Sequence, residues 1–288
     1  MEETDPYLEK KIREFISEDL GFGDITTDSI IDDDVWVTAT IVCKEDAVIS
    51  GLKEAVKIFE LLGCIAKPLI KEGSQVKAGT RLIYVEGSGR AVLKGERTAL
   101  NLLMRMSGIA TATWRALSKA RRVNSKVRIA CTRKTAPGLR YFDKKAVRVG
   151  GGDTHRFRLD DCILIKDNHI RIVGSVRKAI EEAKRKTSFT KKIEVEVENL
   201  EDALEAAMSG ADIIMLDNMR SDEISKFLIE LERRELRDKV IIEASGGINE
   251  KNIEEYAKIG VDVISIGAIT HSVKAIDMSL EIEDVETA

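Results

Sequence analysis

No stretch of the sequence stays apolar for the roughly 18 residues that a membrane-spanning helix needs, and its start, MEETDPYLEKKIREF, is charged from the second residue. Neither export nor anchoring is expected, which leaves a cytoplasmic location. Proline is scarce, with 3 residues in 288, and 20 glycines without a period do not make a collagen-like or low-complexity chain. The four cysteines, Cys43, Cys64, Cys131 and Cys162, lie far apart in apolar contexts and lack C-x-x-C spacing. They read as buried free thiols rather than as disulfide or metal partners. No G-x-G-x-x-G follows the first strand, so a dinucleotide-binding fold has little support. A basic excess is missing too, since the net charge is -4, which argues against a general nucleic-acid binder. What remains is a globular composition, 43% hydrophobic and 33% charged, with length for one barrel of about 250 residues or for two ordinary domains.

The pattern changes along the chain. Leu8, Ile12, Phe15, Ile16 and Leu20 recur at helical spacing behind Asp5-Pro6, which reads as cap and first turn. VTATIVCK and DAVIS read as strands, GLKEAVKIFELLG as a helix, and IAKPLI, RLIYVEG and RAVL as further short strands in a mixed sheet. A long amphipathic helix is expected from Glu96 to Arg122. Beyond it short apolar runs alternate with helical patterns: VRIAC, CILIK, KIEVEV, DIIML, KVIIEA and VDVISIG, separated by segments such as GSVRKAIEEAKRK and LEDALEAAMSG. Strand and helix alternating at this spacing mean parallel βα units, and about six or seven of them favour a barrel over an open sheet. The domain boundary is placed at Ser107, giving 1–107 and 108–270, with the acidic stretch 271–288 returning to the first domain.

In a parallel barrel the active site forms at the carboxyl ends of the strands. Here those ends are polar in six consecutive cases. VRIAC runs into Thr132-Arg133-Lys134, CILI into Lys166-Asp167-Asn168-His169, IEV into Glu196, IIML into Asp217-Asn218, VIIEA into Ser245-Gly246-Gly247, and VISI into Gly267-Ala268 and then His271. Between Thr132 and His169 nine Lys or Arg face five Asp, a local balance of +4, so the rest of a chain of net charge -4 carries -8. Arg140, Lys144, Lys145 and Arg148 fall on a helical pattern and read as a solvated face. Arg133, Lys134, Arg156 and Lys166 stand at strand ends or beside Gly150-Gly151-Gly152, a turn that lets backbone approach a ligand. All three histidines, His155, His169 and His271, lie in the same loops. A cavity for a small polyanion is the expectation.

IEVEVE puts Glu194, Glu196 and Glu198 on one side of a strand and Ile193, Val195 and Val197 on the other. Carboxylates turned into a barrel need cations, because an unpaired buried charge costs several kcal/mol. Glu194 is expected to meet a buried Lys or Arg, and Glu196 to meet Asp217 at the mouth. Two carboxylates there suit a hard divalent cation such as Mg2+; simple salt bridges to the cationic half are the alternative.

ERTALNLLMRMSGIAT, TRKTAPGLR, AVRVGGGDTHR, LIKDNH, MLDN, EASGGI and IGAITHS, with EDLGFGDITT near the start, occur in order at sensible spacing. Together they resemble the quinolinate phosphoribosyltransferase family over nearly the whole chain. The resemblance implies a type II phosphoribosyltransferase fold: an N-terminal α/β open sandwich domain followed by a seven-stranded parallel α/β barrel, assembled as homodimers or higher oligomers. It also implies a Mg2+-dependent reaction in which quinolinate and phosphoribosyl pyrophosphate give nicotinate mononucleotide, pyrophosphate and CO2. By position, Arg97 becomes a quinolinate ligand lent by a neighbouring subunit. Thr132, Arg133, His155, Arg156 and Lys166 line the pocket for two adjacent carboxylates, with Lys134 and Lys166 beside the donor. Glu196 and Asp217 hold ribose hydroxyls and the metal. Ser245, Gly246, Gly247, Ile266, Gly267 and Ala268, with His271 nearby, bind the 5-phosphate. Ala136, Ala244 and Arg158 depart from residues that relatives often carry, without removing a ligand. Open alternatives are a same-fold pyrophosphorylase with another acceptor, such as the molybdenum-associated one, a barrel aldolase using Lys134 or Lys166 as a Schiff base, and a non-catalytic binding protein.

Overall fold

The computed structural model describes residues 6–287, so the expected Asp5 cap lies outside the described residues. In chain order the elements are α1 (Pro6–Leu20), α2 (Ile25–Ile30), β1 (Val35–Cys43), β2 (Ala47–Val48), α3 (Leu52–Leu61), β3 (Ile65–Pro68), β4 (Gln75–Val76), β5 (Arg81–Ser88) and the 33-residue α4 (Gly89–Arg121). There follow β6 (Arg128–Ala130), α5 (Arg140–Val149), β7 (Ile163–Ile165), α6 (Asp167–Val173), α7 (Val176–Lys186), β8 (Ile193–Val197), α8 (Leu200–Met208), β9 (Ile213–Asp217) and α9 (Ser221–Arg233). The chain ends in β10 (Ile241–Ser245), α10 (Ile253–Lys258), β11 (Val263–Ser265), α11 (Ala268–His271) and β12 (Met278–Thr287). Two compact units result, one reaching Ala112 and taken up again from Val273, the other Thr113–Ser272; the division falls inside α4. No described helix is long and apolar enough to cross a membrane.

The first unit is built on a four-stranded sheet in the order β12-β1-β5-β3, with every pairing antiparallel. The mixed sheet read from the sequence is corrected in that respect. RAVL is not a strand either: Arg90 to Leu93 open α4, because Gly87-Ser88 end β5 and the run of Arg, Ala, Leu, Lys and Glu that follows favours helix. Asp24 starts α2 by accepting the N–H groups of Thr26 and Thr27 at 3.1 and 3.0 Å, which accounts for part of the GDITT motif. Ser107 and Thr111, one helical turn apart on α4, exchange hydrogen bonds with the backbone of Ser50 and Val48. Between them Gly108 packs so closely that a Cβ would sit 2.3 Å from the Lys274 carbonyl oxygen. Overpacking of this kind costs about 1–3 kcal/mol, so Gly108→Ala should lower the thermal midpoint clearly in a calorimetric scan. An unchanged midpoint would contradict the close approach.

The second unit carries a parallel six-stranded sheet in the order β6-β11-β10-β9-β8-β7. The described residues pair as six strands where seven were expected; beside β6 a single residue, Asp153, bridges Ala130 in parallel, its N–H donating to the Ile129 carbonyl at 2.7 Å. The glycines before it explain why the chain can enter the wall there. A Cβ on Gly152 would lie 2.6 Å from Thr113 Cγ2 and 3.1 Å from the Ile129 carbonyl. This turn therefore serves close packing of the wall, not approach to a ligand as its sequence suggested. Ile193, Val195 and Val197 are buried along β8, and Glu194 is buried among them, so this strand is covered on both faces.

Candidate active site

A cavity of about 360 Å3 opens where β6 to β10 end. Thr132, Arg133, Lys134, His155, Arg156, Lys166, Glu196, Asp217 and Ser245 line it, together with Leu164, Met215 and Glu243. The last three were missed in the sequence, although each stands two residues before an expected member on its strand, Lys166, Asp217 and Ser245 respectively. Strand alternation turns them to the same side. A wider, open depression of about 880 Å3 runs along α1, lined by Glu9, Lys10, Arg13 and neighbours. Arg13 there pairs with Glu9 at 2.8 Å on the helix surface.

The cationic wall is held from behind. Thr270 Oγ1 donates to the Lys134 carbonyl at 2.8 Å, and the Lys134 N–H donates to Thr132 Oγ1 at 3.1 Å. Lys166 ends β7 and caps α6, its N–H donating to His169 Nδ1 at 2.9 Å. His169 is thereby a helix-capping residue. The Lys166 ammonium pairs with the Glu196 carboxylate across the cavity. Burial, then repulsion from Arg156 and Arg140, pushes the Arg133 guanidinium below its usual pKa. Its buried Nε has no hydrogen-bond partner among the described residues. This is the electrostatic character of a site that wants an anion.

His155 forms the floor. Its Nε2 lies 3.2 Å from Glu194 Oε1 and 3.3 Å from Glu243 Oε2, while its Nδ1 accepts the Arg156 N–H at 2.7 Å. Burial opposes the imidazolium, but the two carboxylates outweigh it and raise the ring's pKa; the N–H aimed at Nδ1 limits that rise. Burial likewise pushes the Glu194 carboxyl up. Glu194 thus meets a histidine, not the Lys or Arg expected for it. These three donors lie within 4.8 Å of one another. A metal on Nε2 would strip the ring of both protons, since Nδ1 already accepts, so the group is a hydrogen-bonded floor. Glu196 does not face Asp217 directly: it is paired in register with Met215, two residues earlier on β9, and its partner is Lys166.

Other expected residues sit apart from the lining. Arg97 lies on α4 in the first unit, its side chain 60% exposed and 4.0 Å from Glu96. Gly246 and Gly247 have left-handed backbone, with φ of 86° and 63°. A Cβ on Gly267 would stand 3.1 Å from Lys134 Cδ and 3.2 Å from His271 Cδ2, which puts that glycine and His271 beside the cationic wall. Ile266 is buried and its N–H is taken by the Ala130 carbonyl at 2.9 Å, so it belongs to the wall. Ala268 begins α11. The solvated face read for four cations holds at Arg148 but not as a whole, since Arg140 and Lys145 are half-buried. Lys144 is fully buried, and Arg140 reaches Thr135 Oγ1 at 3.2 Å and the Phe157 carbonyl at 3.5 Å. All four cysteines are free, with Cys162 only half-buried.

The family model described as quinolinate phosphoribosyl transferase, C-terminal domain, matches residues 109–281, and its N-terminal counterpart matches 24–107. The chain belongs to the quinolinate phosphoribosyltransferase family. A relative from Methanocaldococcus jannaschii, named probable nicotinate-nucleotide pyrophosphorylase (carboxylating), is 54% identical over 96% of this chain and 97% of its own. The human nicotinate-nucleotide pyrophosphorylase (carboxylating) is 37% identical over 87% of this chain and 84% of its own. Among solved structures, the nicotinate-nucleotide pyrophosphorylase from Francisella tularensis superimposes with a TM-score of 0.89, covers 96% of both chains and is 38% identical. Family membership and the shared fold agree with the fold class expected from the motifs.

Proposed function

We propose that the chain transfers phosphoribosyl from phosphoribosyl pyrophosphate to the ring nitrogen of quinolinate, with loss of CO2, as a step of NAD biosynthesis. The observation that carries this reading is one cavity in which Arg133, Lys134, Arg156 and Lys166 stand with His155 and oppose Glu196 and Asp217. Quinolinate bears two carboxylates on neighbouring ring carbons, so several fixed cations must hold them while the nitrogen faces the sugar's anomeric carbon. Thr132, Arg133, Arg156 and Lys166 form that cradle, over a floor in which both nitrogens of His155 are already engaged. The nitrogen lone pair makes the new C–N bond as the C–O bond to pyrophosphate breaks. Pyrophosphate leaves with the electron pair, and Lys134 and Lys166 stabilise its charge. The C–C bond to the adjacent carboxylate then breaks to release CO2, its electron pair stays on the ring carbon where the neighbouring cationic nitrogen stabilises it, and that carbon takes a proton from water. No side chain has to serve as general base for the transfer.

A hard divalent cation such as Mg2+ is assigned to Asp217, which is half-buried and oriented by the Asn218 amide at 2.8 Å, with Glu196 on the adjacent strand joining it on release from Lys166. Bound there, the ion would neutralise charge on the departing pyrophosphate. The 5-phosphate is assigned to Ser245, Gly246 and Gly247 with Gly267, Ala268 and His271. Arg97, solvent-exposed on α4, is assigned to the cavity of a second copy in a homodimer. For a Schiff base, Lys166 would first have to give up its ion pair with Glu196, so the borohydride test below bears chiefly on Lys134. The test is release of CO2 and pyrophosphate from quinolinate, phosphoribosyl pyrophosphate and Mg2+. Both products should appear in equal amounts with quinolinate and neither with nicotinate. Turnover of nicotinate, or trapping of a carbonyl substrate by borohydride, would overturn the reading.

A further inference from the structure

Lys144 has no place in the chemistry above, yet it is 0% exposed on the inner face of α5. Its ammonium donates to the carbonyls of Thr154 and, at 3.0 Å, of Arg156; it lies 3.6 Å from Cys131 Sγ and 5.8 Å from the Phe157 ring centre. The two carbonyls flank His155, and His155 is a non-glycine residue in left-handed backbone, with φ of 51°. Such a conformation is disfavoured for a side chain of this size and persists where its surroundings impose it. Asp153 adds a second restraint through the His155 N–H at 2.8 Å. A buried ammonium whose acceptors are backbone carbonyls is poorly compensated for the water it has lost. An apolar side chain would fill the same space without that loss, but it would leave the two carbonyls unpaired and the twist at His155 unsupported.

We propose that Lys144 is a positioning residue for acceptor recognition: by tying together the carbonyls on either side of His155, it fixes the twist that seats His155 against Glu194 and Glu243 and aims Arg156 into the cavity. The inference rests on the reading that Arg156 binds the acceptor's carboxylates, with His155 in the floor beside it. Misplacement of a positioning group by about 1 Å can cost on the order of 100-fold. The effect should fall on the acceptor and spare the donor, whose assigned residues lie outside the 153–157 loop.

The experiment uses the full chain, with steady-state kinetics in both substrates. Lys144→Met should raise the KM for quinolinate by roughly 10- to 100-fold while the KM for phosphoribosyl pyrophosphate stays within about 2-fold. Lys144→Gln, which keeps two N–H donors on a shorter stem, should fall between it and the wild type and stands in if the Met variant does not fold. Arg156→Ala measured alone tests the underlying reading: if it leaves the quinolinate KM unchanged, that reading fails whatever Lys144 does. If Arg156→Ala raises it, the double variant with Lys144→Met should lose less than the product of the single losses. Equal changes in both KM values, no change, or losses that multiply would overturn the positioning role while leaving the site assignment standing.

Discussion

Lys166→Ala is expected to lower kcat/KM by about 100- to 1,000-fold, the range found when one preorganised charge-stabilising group is removed, with the fold retained. Retention follows from where the side chain sits. It is 40% exposed, and its structural duty is a backbone one, the N–H bond to His169 that starts α6. Its ion pair with Glu196 is open enough to solvent to contribute about 1 kcal/mol or less. The activity loss has a different origin. The ammonium is held by Glu196 facing the cavity, so it meets charge developing on the substrates with little reorganisation. Lys166→Arg should recover part of the rate, since charge returns without the compact ammonium. Single-turnover measurements with both substrates saturating would separate chemistry from binding. A wild-type rate in Lys166→Ala would remove Lys166 from the site.

Much of that site was legible because a parallel barrel converts a one-dimensional pattern into a ring. Each apolar run of three to five residues ends at the same face, so the first polar residues after VRIA, ILI, IEV, IIML and VIIEA were bound to converge, and nine of the expected residues do line one cavity. The carboxylates of β8 were legible for the same reason. What escaped depends on contacts between segments that the local pattern does not encode. Lys144 looks like one of four cations on a polar helix stripe, and only the passage of the 153–157 loop beneath α5 makes it buried. Glu243 looks like a charge inside an apolar strand until His155 is seen to reach it. The triple glycine signals freedom to approach something closely, but not that the something is Thr113 and the strand at Ile129. RAVL has the apolar content of a short strand and lacks the turn that would have separated it from the helix it begins.

Gly246→Ala should damage stability and donor binding together, and the coupling between them is the informative part. Its φ of 86° is left-handed, a conformation that costs a residue with a side chain about 1–2 kcal/mol. A Cβ there would also lie 2.3 Å from Asn218 Oδ1 and 2.5 Å from the Asn218 backbone nitrogen. Overpacking adds about 1–3 kcal/mol, for a total loss of about 2–5 kcal/mol. Asn218 cannot simply move aside, because its N–H donates to the Ser245 carbonyl at 2.9 Å and its amide holds Asp217 Oδ2 at 2.8 Å. Relief of the clash therefore displaces a carboxylate assigned to the ribose and the metal as well as the loop assigned to the phosphate. The KM for phosphoribosyl pyrophosphate should rise by on the order of 10-fold or more, as expected for a misplaced binding group, with a smaller change for quinolinate. Gly247→Ala is the matched control: its φ of 63° is also left-handed, but a Cβ there meets nothing within 4 Å. In thermal unfolding it should show the conformational cost alone. If thermal unfolding finds the two variants equally stable, the contact with Asn218 does not constrain the loop; if Gly246→Ala is the less stable but binds the donor normally, the loop is structural and the phosphate must be held elsewhere.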